Sequence, residues 1–365
     1  MDIDFANLQL QYQKYKDDID DSIRSVLDKS NYIMGEKIDE LENELKNFTG
    51  SNNSITCSSG TDALLLALMA IDIKPGDEVI TTPYSFISTA ETIALLKAKP
   101  VFVDIEPDTF NIDANLIEKE ISNKTKAIIP VSLFGQPSDL NLIQEIANKY
   151  NLKVIIDGAQ SFGSKYFEEK DSNLGDISIT SFFPSKPLGC YGDGGAIFTN
   201  NDEFAAKIKM MRLHGQNKKY QHKYIGIGAR LDTIQAAILL AKLPYFNHEL
   251  LAREKVAHRY THTLSNYLQT PKIKSNRFSS WAQYTVRVKN RDNLQSILKD
   301  SGIPTAIYYP IPLYMQECFQ YLRYKQGDFP ISEKASKEVL SLPMNPFLTN
   351  HQIDYVTSKI KEKIS

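Results

Sequence analysis

Hydrophobic residues follow two different patterns over the first two thirds of the chain. From residue 10 to residue 48 they recur at helical spacing, with a break at residues 30–35, which predicts helices. Beyond this segment, short apolar runs typical of strands alternate with longer helical stretches. The predicted strands are 78–80, 100–103, 127–131, 154–156 and 196–198, and the predicted helices are 61–71, 88–96, 117–121 and 139–149. This alternation predicts an α/β fold with a mostly parallel sheet covered on both faces.

The pattern changes near residue 245. An apolar helical stretch at 231–243 is followed by a more charged one at 248–259. The remaining predicted elements are a strand at 284–288 and helices near 291–300, 332–340 and 351–363. We therefore predict a large domain at 1–245, which includes the N-terminal helical segment, and a smaller α+β domain at 246–365.

Composition excludes several classes of protein. The net charge of −2 gives no reason to expect nucleic acid or an acidic membrane surface as a partner. No stretch approaches the roughly 20 apolar residues of a membrane span, and residues 1–5 lack the features of a signal peptide. The three cysteines (Cys57, Cys190 and Cys318) are scattered, and the six histidines lack metal spacing. These features predict a cytoplasmic protein without a bound metal.

Lys186 is the single cation in residues 180–195. It lies among aromatic, small and turn-forming residues, and four glycines follow it closely. Burial would disfavour its ammonium form, lower its pKa and make a neutral, nucleophilic amine available, as a Schiff-base lysine requires. The alternative is an ordinary lysine in a turn beside a buried strand.

Two other positions have the chemistry of a ligand site. Asp157 ends a predicted strand, where ligands of parallel sheets bind, and its carboxylate could contact a cationic ring nitrogen. Gly60 and Thr61 begin an apolar helix, whose first N–H groups could bind a phosphate. Both features have an ordinary explanation as well, since Asp157 could cap a helix, and Ser59 or Thr61 could do the same.

An aromatic loop and an arginine complete the set. In the segment 84–86, Phe86 could stack on a planar ligand or belong to the core. Arg230 follows a glycine-rich turn and could bind an anionic group bidentately, or it could belong to an ordinary helix start with Asp232. A lysine amine, an aspartate, a phosphate site and an aromatic ring are together the contacts expected around pyridoxal 5'-phosphate.

Longer motifs carry a resemblance to a known family. They are residues 59–64, 103–105, 131–136, 157–160, 181–195, 230–232 and 235–237. With these motifs, nearly the whole chain resembles the DegT/DnrJ/StrS family of pyridoxal-phosphate-dependent nucleotide-sugar aminotransferases. The resemblance implies an aspartate-aminotransferase-like fold with a mixed, mostly parallel seven-stranded sheet. It also implies a homodimer with active sites at the subunit interface.

The resemblance also implies roles for individual residues. Lys186 would bind the cofactor covalently and carry the proton, while Asp157 would pair with the pyridine nitrogen. Gln160 would lie against the ring and its 3-hydroxyl, and Phe86 would stack on the ring face opposite the lysine. The residues that would bind the phosphate are Gly60, Thr61 and Ser181.

Within the family the chain is most similar to aminotransferases of UDP-linked 3-keto sugars, such as UDP-N-acetyl-3-oxo-glucuronate. The similar runs are 182–195, 282–287, 303–306 and 309–313. By this likeness Arg230, Tyr308 and Tyr309 would contact the sugar. The chain departs from its relatives at two positions. The family usually has asparagine where this chain has Gly228, and that side chain reaches the partner subunit's cofactor phosphate. The 3-keto-uronate enzymes tend to have histidine where Tyr308 stands.

These features predict an enzyme that moves an amino group from L-glutamate to a nucleotide-linked keto sugar, with UDP as the nucleotide and C3 as the carbon, for surface polysaccharide or glycan synthesis. One alternative is C4 amination of a UDP- or dTDP-linked 4-keto-6-deoxy sugar. Two others are a sugar dehydratase with the same cofactor and a non-catalytic regulator on the same fold. Dehydratases of the family have histidine in place of the lysine, so the presence of Lys186 favours transamination.

Overall fold

The computed structural model describes residues 3–364, and residues 1, 2 and 365 of the predicted domain ranges lie outside it. Within that range the chain forms twelve α-helices and fourteen strands. The helices are α1 Leu8–Lys14, α2 Lys16–Lys29, α3 Glu36–Thr49, α4 Gly60–Ala70, α5 Ser88–Leu95, α6 Ala114–Ile117, α7 Leu140–Tyr150, α8 Asp202–Met211, α9 Thr233–Leu264, α10 Arg291–Asp300, α11 Pro330–Glu338 and α12 Asn350–Ile364. The strands are β1 Asn53–Cys57, β2 Glu78–Thr81, β3 Lys99–Phe102, β4 Thr125–Ile128, β5 Lys153–Asp157, β6 Lys165–Tyr166, β7 Glu169–Lys170, β8 Ile177–Ser181, β9 Gly195–Thr199, β10 Gln216–Lys218, β11 Gln221–His222, β12 Arg277–Phe278, β13 Tyr284–Arg287 and β14 Val339–Leu342.

Seven strands form the central sheet, in the order β1-β9-β8-β5-β4-β2-β3. The pairs from β3 to β8 are parallel, whereas β9 is antiparallel to both of its neighbours. The mixed, mostly parallel seven-stranded sheet expected from the sequence is therefore confirmed. Its carboxyl edge collects the ends of β1, β5 and β8, because these three strands run in the same direction.

Helices cover both faces of the sheet. Consecutive residues of a strand point to opposite faces, so Ile155 of β5 belongs to one core cluster and Ile156 to another. Helices α4 and α8 pack on the first face, and α7 packs on the second. Near β9 the second face is covered by α3 and the first half of α9. Helix α4 is apolar on nearly all sides, and such a helix is stable only where it is buried.

Most predicted elements are confirmed to within a few residues, but two strands of the seven-stranded sheet were missed. β1 and β8 alternate apolar residues with serine and threonine, although β8 is buried throughout. The threonine hydroxyls of both strands are satisfied inside the protein. Thr56 Oγ1 donates to Glu42, and Thr180 Oγ1 donates to the carbonyl of Gly158. The helix predicted at 117–121 was misplaced, because α6 ends at Ile117 and only a short 3₁₀ turn follows.

The stretches 231–243 and 248–259 are not separate helices. Helix α9 runs through both for 32 residues, with Pro244 inside it. Its first half packs against the large sheet, and its second half joins a second core with α10, α12 and the β13–β14 pair. The predicted boundary near residue 245 thus falls inside one continuous helix, and the division into 1–245 and 246–365 stays a prediction.

Candidate active site

Three predicted site residues meet at the carboxyl edge of the sheet. Asp157 and Ser181 are the last residues of the neighbouring parallel strands β5 and β8, and Gly60 opens the helix that follows β1. A Cβ placed on Gly60 would lie 2.9 Å from the Cβ of Ser181. The sheet therefore brings together residues that are about 120 positions apart in sequence, at the edge where parallel sheets bind ligands.

Lys186 lies in the irregular loop between β8 and β9. Its backbone N–H donates to the carbonyl of Phe183 at 2.8 Å, and Lys186, averaged over all its atoms, is partly exposed. The amine itself is surrounded by protein atoms, and this burial lowers the pKa of Lys186 to about 8. The negative charge of Asp157 acts in the opposite direction and raises the pKa. A substantial fraction of the amine is thus neutral near physiological pH, which is the form that attacks a carbonyl.

Asp157 is 4% exposed and holds a fixed orientation. One carboxylate oxygen accepts from Thr89 Oγ1 at 2.7 Å, and the other accepts from the N–H of Ala159 at 3.2 Å. Burial raises the pKa of Asp157, while these hydrogen bonds and the charge of Lys186 act in the opposite direction. A buried carboxylate whose pKa is raised would gain from a further positive charge nearby. A protonated ring nitrogen fits this requirement.

Gln160 links the sheet edge to the C-terminal part of the chain. Its Oε1 accepts from the N–H of Phe134 at 2.8 Å, and its Nε2 donates to the hydroxyl of Tyr309 at 3.1 Å. Tyr84 then fixes the backbone beside Tyr309, because its hydroxyl donates to the carbonyl of Tyr308 at 2.8 Å and accepts from the N–H of Tyr309 at 3.1 Å. Tyr309 therefore lies in the site, and burial raises its hydroxyl pKa.

The predicted phosphate residues have the properties of an anion site. Ser59 caps α4 by accepting from the N–H of Asp62 at 3.0 Å, so the capping explanation is correct for Ser59. The N–H groups of Gly60 and Thr61, at the start of the helix, have no acceptor among residues 3–364. The hydroxyl of Thr61 contacts that of Ser88 at 2.9 Å, and Ser181 Oγ accepts from the N–H of Phe183 at 3.2 Å.

The aromatic loop divides into a core residue and an open one. Tyr84 is fully buried, whereas Phe86 is 56% exposed. The ring of Phe86 lies 6.3 Å from that of Tyr309 between centroids, at an angle of 40°. Phe86 is thus not a core residue, and its ring is open to contact by a ligand beside Tyr309.

Arg230 is not joined to the other site residues within this chain. Among the described residues, no hydrogen bond or ion pair connects it with Lys186, Asp157 or Gln160. A Cβ placed on Gly228 would lie 3.0 Å from the imidazole of His214 and 3.6 Å from Arg230 Nη2. His214 therefore fills the space beside Gly228 into which the family's asparagine would project. The role of Arg230 stays a prediction.

Sequence reasoning missed Thr89 and the structural role of Tyr84. Thr89 is 1% exposed and lies in the first turn of α5, where its hydroxyl donates to Asp157. A threonine near a helix start is usually interpreted as a cap, and nothing in the sequence placed it beside residue 157. Over residues 3–364 no cluster of three or more His, Cys, Asp or Glu side chains could hold a metal ion, and no helix is long and apolar enough to cross a membrane.

The fold and the site together define a protein built to hold pyridoxal phosphate, with a lysine amine, a buried carboxylate and an open helix start at one sheet edge. Comparison with known families agrees. The profile of the DegT/DnrJ/EryC1/StrS aminotransferase family matches residues 13–361, and the chain belongs to this family. It is a pyridoxal-phosphate-dependent aminotransferase, as the sequence predicted.

Individual relatives match along nearly their whole length. The chain is 48% identical over 359 residues to UDP-2-acetamido-2-deoxy-3-oxo-D-glucuronate aminotransferase of Pseudomonas aeruginosa, covering 98% of this chain and 99% of that one. It is 38% identical to UDP-N-acetyl-3-dehydro-alpha-D-glucosamine 3-aminotransferase of Acidithiobacillus ferrooxidans, covering 99% and 98%. The solved structure of NtdA from Bacillus subtilis with bound PMP superposes with a TM-score of 0.93 at 32% identity, covering 100% of this chain and 85% of that one.

Proposed function

We propose that this enzyme transfers an amino group from L-glutamate to C3 of a UDP-linked 3-keto sugar, in the synthesis of a surface polysaccharide such as an O-antigen. The observation that carries the proposal is the full-length similarity to the P. aeruginosa enzyme, whose name specifies a UDP-linked 3-oxo sugar. The second relative also acts on a UDP-linked sugar at C3 by its name. The alternative of C4 amination has no comparable support in these two relatives.

The described residues have distinct tasks in this reaction. When bound, the cofactor supplies an acceptor for the electrons released as a C–H bond next to its imine breaks. With the cofactor bound, Asp157 would hold a proton on the ring nitrogen, and Gln160 and Phe86 would orient the ring. The amine of Lys186 would take up the proton released from Cα of glutamate, and in the second half of the reaction it would supply a proton to the sugar carbon that receives the amino group. The lowered pKa of Lys186 suits it to both directions.

We also propose that the enzyme works as a homodimer with shared active sites. Apolar side chains near the site are exposed in the single chain, with Phe183 at 51% and Phe86 at 56%. Tyr220 and Ile225, at and just beyond the β10–β11 hairpin, are more than 80% exposed. Such apolar surface is typical of an interface with another subunit. In this arrangement Arg230 would act toward the site of the second copy.

The cellular setting follows from the same features. All three cysteines are free, and two of them are buried, which fits a reducing cytoplasm. We therefore place the reaction in the cytoplasm.

Tyr308 stands where 3-keto-uronate enzymes tend to have histidine, so the sugar need not be a uronate. Tyr308, Tyr309 and Arg230 are the residues that would determine which sugar is bound.

A substrate panel tests the proposal. The purified enzyme is incubated with ¹⁵N-labelled glutamate and with UDP- and dTDP-linked sugars that carry a ketone at C3 or C4, and the products are analysed by mass spectrometry. We expect ¹⁵N in the product of a UDP-linked 3-keto sugar, and none with the Lys186→Ala variant. Labelled product from only the 4-keto sugars would refute C3 amination. A deoxygenated keto sugar without nitrogen would indicate a dehydratase instead.

A further inference from the structure

Helix α9 places a buried lysine directly under the loop that carries Lys186. Lys242 is 2% exposed, and its Nζ donates to the carbonyl of Gly189, three residues after Lys186. The same Nζ lies 5.2 Å from the ring centroid of Tyr191. No ion pair with a carboxylate holds Lys242 among the described residues. A buried ammonium costs free energy unless it is compensated, so a lysine kept at this position is expected to have a role in the protein.

A second side chain of α9 holds the same part of the loop. Gln235 lies seven residues before Lys242, two helical turns away on the same face. Its Oε1 accepts from the N–H of Tyr191 at 2.8 Å, and its Nε2 donates to the carbonyl of Tyr191 at 3.4 Å. Glu249 continues this face seven residues further on and partly offsets the charge of Lys242. Gln235 and Lys242 thus hold residues 189–191 at two points.

Close contacts within the loop, and not regular secondary structure, set its shape. Residues 182–194 contain no helix or strand. The chain folds back so closely that a Cβ on Gly189 would lie 2.4 Å from the carbonyl oxygen of Pro184. The N–H of Cys190 also donates to the carbonyl of Phe182 at 2.8 Å. Because residues 189–190 pack against 182–184, a shift at Gly189 must also shift the short segment that ends at Lys186.

We propose that Lys242, together with Gln235, is a positioning residue that fixes the loop of Lys186 from below. Lys242 contacts the loop backbone and does not reach the reacting atoms, so it acts through Lys186. This role rests on the cofactor site and not on the identity of the sugar. Its test can therefore fail without affecting the proposed substrate, and the reverse also holds.

The thiol of Cys190 reports the state of this loop in cofactor-free protein. Cys190 is buried, and its single S–H has two carbonyl acceptors within reach, those of Phe182 at 3.1 Å and Gly192 at 3.2 Å from Sγ. Cys57 is equally buried in β1, outside the loop, whereas Cys318 is exposed. Labelling with N-ethylmaleimide, read peptide by peptide by mass spectrometry, therefore compares the loop with the core in one sample.

The test variant is Lys242→Met, which keeps an unbranched chain but removes the donor. We expect Cys190 to be labelled at least about tenfold faster than in the parent protein, with Cys57 unchanged. Gln235→Met should act in the same direction and serves as a second variant if Lys242→Met does not fold. Lys207→Met is the matched control, because Lys207 Nζ also donates to a backbone carbonyl, that of Ala70 at 2.9 Å, but away from the loop.

The absorbance of cofactor-loaded protein provides a second measurement. The pH at which its absorbance changes reports the environment of Lys186, and we expect this pH to shift in Lys242→Met but not in Lys207→Met. The turnover number should fall by about 10- to 100-fold, the effect of a misplacement on the order of 1 Å. Unchanged labelling of Cys190 in both loop variants would overturn the proposal. An equal rise at Cys57 and Cys190 would also overturn it, since that shows general destabilisation.

Discussion

Replacing Gly195 with alanine tests whether the start of α4 binds the cofactor phosphate. Gly195 opens β9 and lies against the turn that precedes the helix. An added Cβ would lie 2.5 Å from the carbonyl oxygen of Ser59 and 2.9 Å from the N–H nitrogen of Gly60. Both are backbone atoms that cannot rotate away, so the turn and the start of the helix must move off the strand.

The distances set the size of the effect. Bringing the Ser59 oxygen from 2.5 Å to an ordinary contact of 3.4 Å requires a displacement of about 0.9 Å. Overpacking of this kind typically costs about 1–3 kcal/mol in the free energy of unfolding. Losing one hydrogen bond to a charged phosphate costs about 1.5–3 kcal/mol, so we expect cofactor affinity to fall by about 10- to 100-fold.

Titration of cofactor-free protein with pyridoxal phosphate, followed by absorbance, measures this loss. Ala196→Gly is the matched control, because Ala196 is the next residue of β9, is buried and points to the opposite face. That change should cost about 0.5–1 kcal/mol in stability without moving Ser59. Equal affinity in the Gly195→Ala and parent proteins would refute the placement of the phosphate at Gly60 and Thr61. An equal loss in both variants would show that stability alone explains the effect.

Three further predictions concern single groups. Competitive acetylation of Lys186 in cofactor-free protein, measured by peptide mass spectrometry, should level off above about pH 9, where most of its amine is neutral. A Lys186 rate that keeps rising to about pH 10 together with that of the exposed Lys255 would contradict this. Asp157→Asn should weaken cofactor binding yet stabilise cofactor-free protein at neutral pH. Burial raises the pKa of this carboxyl, so its contribution to stability is present below the ordinary aspartate pKa and is lost as pH rises. Urea unfolding should therefore show a higher free energy of unfolding for Asp157→Asn than for the parent protein at about pH 7, and no difference near about pH 3.5. Asp104→Ala should lower the free energy of unfolding by about 1–2 kcal/mol, because Asp104 accepts from two N–H groups at the start of α11, and an unchanged urea midpoint would contradict that role.

The sequence predicted well those features that depend on local pattern. The strands β2 to β5 are apolar runs of ordinary length, and each was found. Asp157 directly follows such a run, so its place at the sheet edge followed from the strand. Lys186 was identified from the glycine-rich loop around it. The number of strands and the mixed direction of the sheet, by contrast, were expected only from the family resemblance, and the strand order was not predicted, because strand pairing is not a local property.

Features that depend on distant contacts were not predictable from the pattern. Thr89 and Asp157 are 68 positions apart, and Gln160 and Tyr309 are 149 apart. β1 and β8 were missed because serine and threonine weaken the apolar signal, while their hydrogen bonds become visible only in the folded protein. The change from an apolar to a more charged stretch near residue 245 suggested a boundary, yet packing on both halves of α9 keeps the helix continuous through Pro244.

The pairing of β1 with β9 has a consequence for synthesis of the chain on the ribosome. Strands β2 to β5 are complete once residue 157 has emerged, and they can pair with one another at that point. β1 is made first but must wait for β9, about 140 residues later, before its edge is covered. Until then the unpaired N–H and C=O groups of β1 are open to other chains. Nascent protein should therefore be most prone to aggregation while residues 60–195 are being added.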